Sequence, residues 1–222
     1  MTTGIFLRFF QESDRKKNHP DGYCIMNPSQ QEIPIVCDRY WLLTWTMYGS
    51  WLPGDKRGFV SNVRDGDGPE VRHNIPGTEY DSDMSALEAH TRSRMKADPV
   101  RIDVPQAEAL FVQFQQTGRF RGWRLFAVAI MANHCHIVTG VPGDPEPATL
   151  LQSFKSYGSR RLNGIFGRPV SGTWWTASGS KRKLPNDAAV LAAIRYVLDQ
   201  EYPLLIWTTE VPELDLEGGR IK

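Results

Sequence analysis

The chain is poor in cysteine and has no long hydrophobic run. Its three cysteines, Cys24, Cys37 and Cys135, are an odd number without paired or metal-type spacing, which excludes a disulfide framework and favours a reducing compartment. No apolar stretch reaches the length of a membrane span, and the first ten residues have neither a basic start nor a small-residue cleavage site. We therefore expect a soluble, cytoplasmic protein that makes no contact with a membrane.

Net charge is also nearly absent, at +1, but acidic residues are unevenly distributed. Between residues 119 and 197 there are eleven Lys and Arg and three Asp and Glu, which leaves a local net charge of +8. A basic segment of this kind favours a polyanionic partner, although basic residues scattered over helix surfaces are often only solvated.

A length of 222 residues with 41% apolar content fits one sizeable domain with an insertion. Residues 1–38 are polar and show no sustained period, so we treat them as an N-terminal extension of unknown role. We predict a single domain over residues 39–208, interrupted by a long loop at about 52–82 that is rich in Gly, Asp and Arg, and a tail over 209–222.

Hydrophobic periods and capping residues predict the elements of this domain. Strands are expected at 40–48, 123–131, 134–141 and 173–177, helices after Ser82 or Asp83, after Pro105, from Pro147 and over 188–200, and a basic turn over 178–183. This order predicts an α+β fold in which a small antiparallel sheet has its helices on one side.

Two histidines occupy the most apolar strand, as Asn133-His134-Cys135-His136. Side chains alternate along a strand, so His134 and His136 emerge on one face while Cys135 points to the other. Two imidazoles on one face make half of a site for zinc, manganese, iron or copper and leave positions open for water or substrate oxygen. The competing interpretation is one ordinary core histidine and one incidental neighbour.

A second pair lies on the last predicted helix, where Tyr196 precedes Gln200 by four residues. Positions i and i+4 share a helix face, so the phenol and the amide would project together. The spacing alone is common and does not indicate catalysis.

Together these features resemble the single-tyrosine transposases of the HUH class, and most of all the REP-associated tyrosine transposases and related insertion-sequence transposases. The resemblance covers about residues 40–207 in the order of that family. It rests on the segments Tyr48–Gly58, Met131–His136 and Gly172–Trp175, and on Tyr196 with Gln200.

The resemblance implies a ferredoxin-like, RRM-like HUH nuclease fold and a metal-dependent transposase that cleaves and rejoins single-stranded, hairpin-associated DNA. It implies that Tyr196 is the nucleophile and forms a 5′-phosphotyrosine intermediate. It also implies that His134, His136 and Gln200 hold Mg²⁺ or Mn²⁺. A phenol with an ordinary pKa of about 10 needs such help at neutral pH.

The same resemblance assigns DNA recognition to the basic segment and to exposed tryptophans. The residues expected to contact phosphates or bases are Arg119, Arg121, Arg124, Lys155, Arg160, Arg161, Lys181, Arg182, Lys183, Trp51, Trp174 and Trp175. Trp41, Trp45 and Trp123 are expected in the core instead.

Other interpretations of the sequence stay open. A non-catalytic, domesticated DNA hairpin-binding protein would keep the same surface, and a rolling-circle replication initiator shares the histidine pair. An unrelated zinc hydrolase is disfavoured because no third His, Cys or Asp ligand is suitably placed. Relatives of this kind act as monomers or homodimers, and the sequence does not distinguish the two.

Overall fold

The structure, a computed structural model, describes residues 37–55, 62–64, 70–72 and 84–209. Most of the predicted N-terminal extension, of the loop at 52–82 and of the C-terminal tail lies outside the described residues. The elements are β1 (Arg39–Thr46), β2 (Asn62–Arg64), β3 (Glu70–Arg72), α1 (Ser85–Ser93), α2 (Val104–Arg121), β4 (Arg124–Ile130), β5 (His134–Val141), α3 (Pro147–Phe166), β6 (Ser180–Leu184), α4 (Asp187–Leu198) and β7 (Leu205–Thr208).

Five strands form one antiparallel sheet in the order β6-β1-β5-β4-β7. The centre is the hairpin of β4 and β5 with β1 on its far side, and in this register Thr44 lies opposite His136 and Thr46 opposite His134. The α+β class and the antiparallel sheet are confirmed. The described part of the chain contains no helix long and apolar enough to cross a membrane.

Helices cover both faces of the sheet, which differs from the predicted single-sided arrangement. Helices α2 and α3 enclose the main core, in which Trp45 is 1% exposed and packs edge-on against Phe114. Helix α4 places Val190, Ile194 and Val197 against the opposite face. The strands are apolar on both faces at their centre, and burying both requires cover on each side.

Side-chain caps mark the starts of helices α2 and α4. The side chain of Asp103 accepts a hydrogen bond from the backbone nitrogen of Gln106, whose own side chain accepts one from Asp103, so a capping box opens α2. Gly122 ends the same helix in the left-handed region at φ +67°. Asn186 caps α4, because its side-chain oxygen accepts a hydrogen bond from the backbone nitrogen of Ala189.

Three local predictions were wrong. Residues 173–177 form no regular strand and make a single bridge, between Trp175 and Met47, just beyond the end of β1. The predicted basic turn at 178–183 is instead largely the edge strand β6, whose charged residues suit an edge that pairs on one side only. Part of the predicted long loop forms the small antiparallel pair of β2 and β3.

Candidate active site

Both histidines lie at the start of β5 on the face that carries α4. Their ring centroids are 4.9 Å apart and the rings are nearly perpendicular, at 89°. The side chain of His136 is almost completely buried, with 3% exposure, whereas His134 is partly exposed nearer the end of the strand. The strand alternation predicted from sequence therefore brings the two imidazoles together.

Each ring is held through its Nδ1 atom. The Asn133 side-chain oxygen lies 2.7 Å from His134 Nδ1, and the Thr44 hydroxyl lies 2.7 Å from His136 Nδ1. An amide oxygen can only accept, so the His134 Nδ1 carries the hydrogen and its Nε2 carries the lone pair. With the Thr44 hydroxyl acting as acceptor, His136 adopts the same tautomer, and both Nε2 atoms can act as ligands.

The Nε2 atom of His136 is the most informative atom of the site. It is buried and makes no hydrogen bond of acceptable geometry within the part of the chain that the structure describes, although the Gln200 side chain lies near the ring. A buried polar atom left without a partner costs about 1–3 kcal/mol. Since imidazole nitrogen is a good metal ligand, this unsatisfied atom fits a divalent metal site.

The electrostatics of His136 keep it in the form that binds metal. Burial, reinforced by the neighbouring His134, lowers the pKa of His136 to about 4, and the nearby Gln200 side chain acts in the opposite direction. The imidazole is therefore neutral at physiological pH, as metal ligation requires.

Tyr196 reaches the histidines from α4. Its ring centroid is 5.3 Å from that of His136, at an interplanar angle of 83°, and the residue is 50% exposed. The helix approaches because Val190, Ile194 and Val197 pack on the sheet beside the histidines. A half-exposed phenol above a buried imidazole is accessible to a large substrate arriving from solvent.

Gln200 lies just beyond the end of α4, which stops at Leu198 with Asp199 as its C-cap. Its side-chain nitrogen donates to the Tyr196 carbonyl oxygen at 2.9 Å. The Gln200 amide therefore lies next to Tyr196, and its effect on the pKa of His136 shows that it is also near that ring. Because the helix ends before Gln200, Tyr196 and Gln200 do not share one continuous helix face as predicted. Among the described residues, no group of three His, Cys, Asp or Glu is arranged to hold a metal. A ligand set drawn from these residues would therefore consist of the two histidines and Gln200.

The predicted DNA-contacting residues divide between the two faces of the sheet. Of the three basic residues in β6, Arg182 pairs with Leu42 on the histidine face, whereas Lys181 and Lys183 pair with Leu43 and Trp41 on the other. The exposed arginines at the surface of α2, α3 and the start of β4 are Arg119, Arg121, Arg124, Arg160 and Arg161. Only Arg182 of the β6 group therefore shares a face with Tyr196.

Three of the predicted DNA contacts are buried instead. The ammonium of Lys155 donates to the carbonyl oxygens of residues 176, 177 and 178 at 2.6, 3.2 and 3.0 Å, so its hydrogens are already occupied. Trp174 and Trp175 are each 5% exposed, and their indole nitrogens donate within the protein. Trp51, at 43% exposure, is the most exposed of the three predicted stacking tryptophans.

The core assignments of the other tryptophans are confirmed, since Trp41, Trp45 and Trp123 are all buried. The sequence did not identify Thr44 and Asn133 as the residues that contact the Nδ1 atoms of the two histidines. Asn133 could have been noticed as the polar neighbour of His134, but the contact of Thr44 depends on the pairing of β1 with β5 across 92 residues.

Several solved structures are similar to this chain, and two of them illustrate the likeness. A structure described as a REP-associated tyrosine transposase bound to a REP hairpin is 12% identical, with a TM-score of 0.36, over 76% of this chain and 70% of that one. A putative transposase from Deinococcus radiodurans is 13% identical, with a TM-score of 0.38, over 80% of this chain and 99% of that one. No protein-family model and no curated protein matches this chain.

Proposed function

We propose that this protein is a metal-dependent, single-stranded DNA endonuclease and strand transferase of the HUH transposase type, with Tyr196 as the nucleophile. The observation that carries the proposal is the convergence of Tyr196 on His136, a buried histidine whose Nε2 lacks a partner among the described residues. The motif resemblance described above supports the same assignment.

In the proposed reaction the Tyr196 oxygen attacks a DNA phosphorus atom. An oxygen–phosphorus bond to tyrosine forms, the bond from phosphorus to the 3′ oxygen breaks, and the phenolic proton is lost while the departing 3′ oxygen gains one. The product is a 5′-phosphotyrosine and a free 3′-hydroxyl. Attack of another 3′-hydroxyl on that linkage rejoins the strand, so the broken diester's energy is retained and no nucleotide cofactor is needed.

The residues of the site have separate tasks in this scheme. His134, His136 and the Gln200 oxygen would hold Mg²⁺ or Mn²⁺, which when bound would polarise the scissile phosphate. Thr44 and Asn133 hold the two imidazole rings through their Nδ1 atoms, so metal ligation would use the Nε2 atoms. Tyr196 is half exposed, so a single strand could reach its side chain from solvent.

The test uses single-stranded DNA that contains a hairpin, labelled at either its 5′ or its 3′ end and incubated with the protein and manganese. We expect a covalent protein–DNA band on a denaturing gel that retains only the label 3′ of the cut. Tyr196→Phe should abolish the band, a loss of at least about 1,000-fold, because no other group replaces the nucleophile.

The matched control is Tyr202→Phe, which removes the hydroxyl of an exposed tyrosine six residues away. This variant should form the covalent adduct at the same rate as the unmodified protein. An adduct that persists in Tyr196→Phe and disappears in Tyr202→Phe would overturn the assignment of the nucleophile. Hairpin binding without an adduct, across a panel of sequences, would favour the non-catalytic DNA-binding protein.

A further inference from the structure

A second exposed cluster lies where α2 meets α3, on the opposite side of the sheet from the histidines. Phe120, at the end of α2, is 75% exposed, and its ring centroid is 6.5 Å from that of Tyr157 on α3. The two rings meet edge to face at 67°. Burial of such a ring would be favourable, so its exposure in the free protein leaves apolar surface open to a partner.

Two arginines lie over these rings. The guanidinium carbon of Arg121 is 5.9 Å from the Phe120 centroid, and that of Arg160 is 5.1 Å from the Tyr157 centroid. We refer to Phe120, Arg121, Tyr157 and Arg160 as the aromatic–arginine platform. Cation–π contacts hold the guanidinium groups beside the rings and leave their N–H donors available.

No carboxylate neutralises the platform from its own helices. After Glu108, α2 contains no acidic residue, and α3 contains none at all. Within the described ranges the ion pairs are Arg39 with Asp144 and Arg92 with Glu88, and none involves an arginine of the platform. Exposed Arg119 and Arg161 are adjacent in sequence and add to the positive charge.

The platform is separate from the candidate active site. Helices α2 and α3 cover the face that carries Leu43 and Ile137, whereas His136 and Tyr196 belong to the other face. Arg121 also lies near the start of β4, and five residues of that strand, about 17 Å, separate Arg124 from the residue opposite His136. One nucleotide therefore cannot occupy both places.

We propose that the aromatic–arginine platform binds unpaired nucleotides of a single strand, with a base stacked on Phe120 and the flanking phosphates held by Arg121 and Arg160. Every base offers a π face to an exposed ring, and arginine pairs with phosphate through two hydrogen bonds. An acidic peptide would satisfy the arginines but would leave the exposed ring unused, so single-stranded nucleic acid fits better.

The test measures fluorescence anisotropy of an unstructured, labelled oligonucleotide with the full chain carrying Tyr196→Phe, in EDTA, at several salt concentrations. We expect Phe120→Leu to weaken binding about 5- to 100-fold without changing the salt dependence, because it removes stacking but no charge. Arg160→Ala should reduce the slope of log K against log salt by about 0.7, because one phosphate contact is lost.

Matched controls separate these effects from general changes. Phe166→Leu alters another exposed phenylalanine, at the end of α3, and Arg101→Ala removes an exposed arginine outside the platform. Both should bind almost as the parent does. The proposal is overturned if Phe120→Leu and Phe166→Leu weaken binding of the single strand equally. It is also overturned if Phe120→Leu weakens binding of a fully paired duplex or of a polyglutamate peptide as much as binding of the single strand.

This proposal shares a DNA partner with the proposed function but not its chemistry, so the two can fail separately. Loss of binding in Phe120→Leu, with no covalent adduct from the unmodified protein, would support the platform and contradict the transposase. An adduct that depends on Tyr196, with binding unaffected by Phe120→Leu, would do the reverse.

Discussion

At the scale of single residues, Thr44 is the clearest case of a side chain that acts through another. Its hydroxyl is 2.7 Å from Nδ1 of the buried His136, and it lies directly opposite His136 in the register of β1 and β5. In the proposed site this contact selects the tautomer that turns the Nε2 lone pair towards a metal.

Thr44→Val replaces the hydroxyl by a methyl group of similar size. We expect Mn²⁺ to bind about 10- to 100-fold more weakly in isothermal titration calorimetry, because the imidazole loses the group that orients it. The ring ¹⁵N chemical shifts of His136 should also show a change in the tautomer mixture.

Thr139→Val is the control for Thr44→Val, since it removes a buried hydroxyl that donates to the Arg124 carbonyl oxygen away from the histidine face. It should lower stability while leaving Mn²⁺ affinity unchanged. Equal affinities in the parent and in Thr44→Val would show that Thr44 has no part in a metal site.

At the scale of elements, the segment 176–178 shows how a helix positions a strand. Lys155 on α3 donates to three consecutive carbonyl oxygens of this segment, which leads directly into β6. Burial lowers the pKa of Lys155 to about 8, with a smaller contribution from Lys181, so at neutral pH the group is still mainly the three-donor ammonium. The segment is thereby attached to the core.

Lys155→Met retains the length of the side chain and removes all three hydrogen bonds. We expect the free energy of unfolding to fall by about 2–4 kcal/mol in urea denaturation, because three carbonyls lose their shared donor. The exposed neighbour Lys181 supplies the control, and Lys181→Met should change stability by less than about 0.5 kcal/mol. An unchanged stability in Lys155→Met, accompanied by weaker DNA binding, would restore the phosphate-contacting role predicted from sequence.

At the scale of the whole molecule, the buried His136 links global stability to pH. Its folded-state pKa of about 4 lies below the ordinary value of 6.5, so between these values the unfolded chain binds more protons than the folded one. The contribution of His136 to stability is therefore complete above pH 6.5 and is lost as pH falls towards 4.

Since one pKa unit corresponds to about 1.4 kcal/mol, this loss is about 3 kcal/mol in metal-free protein. Urea denaturation in EDTA at several pH values between 7 and 4 measures it. His136→Gln should lack this part of the pH dependence. Subtracting its curve of unfolding free energy against pH from that of the parent separates the contribution of His136 from that of the carboxylates. Parallel curves for the parent and the variant would show that His136 is not buried as the structure describes.

The sequence by itself determined the local pattern of this protein. Alternation along an apolar strand placed His134 and His136 on one face, and the bounds of β5 agree with those predicted, because short-range periodicity and turn residues carry that information. The helix predicted after Pro105 begins at Val104, and the helix predicted from residue 188 begins at Asp187, so both starts were close to the observed ones for the same reason. Strand β7 was missed because four residues carry too short a pattern.

Only the tertiary structure decided which of the basic and aromatic residues are accessible. Lys155, Trp174 and Trp175 were predicted from the sequence to contact DNA. Packing of α3 against the segment before β6 buries all three instead. The tertiary structure also decided how the helices divide between the two faces of the sheet. It likewise brought Tyr196 into contact with His136, which lies 60 residues earlier in the chain. These features depend on long-range pairing and on which surfaces the helices cover, and no local period in the sequence encodes them.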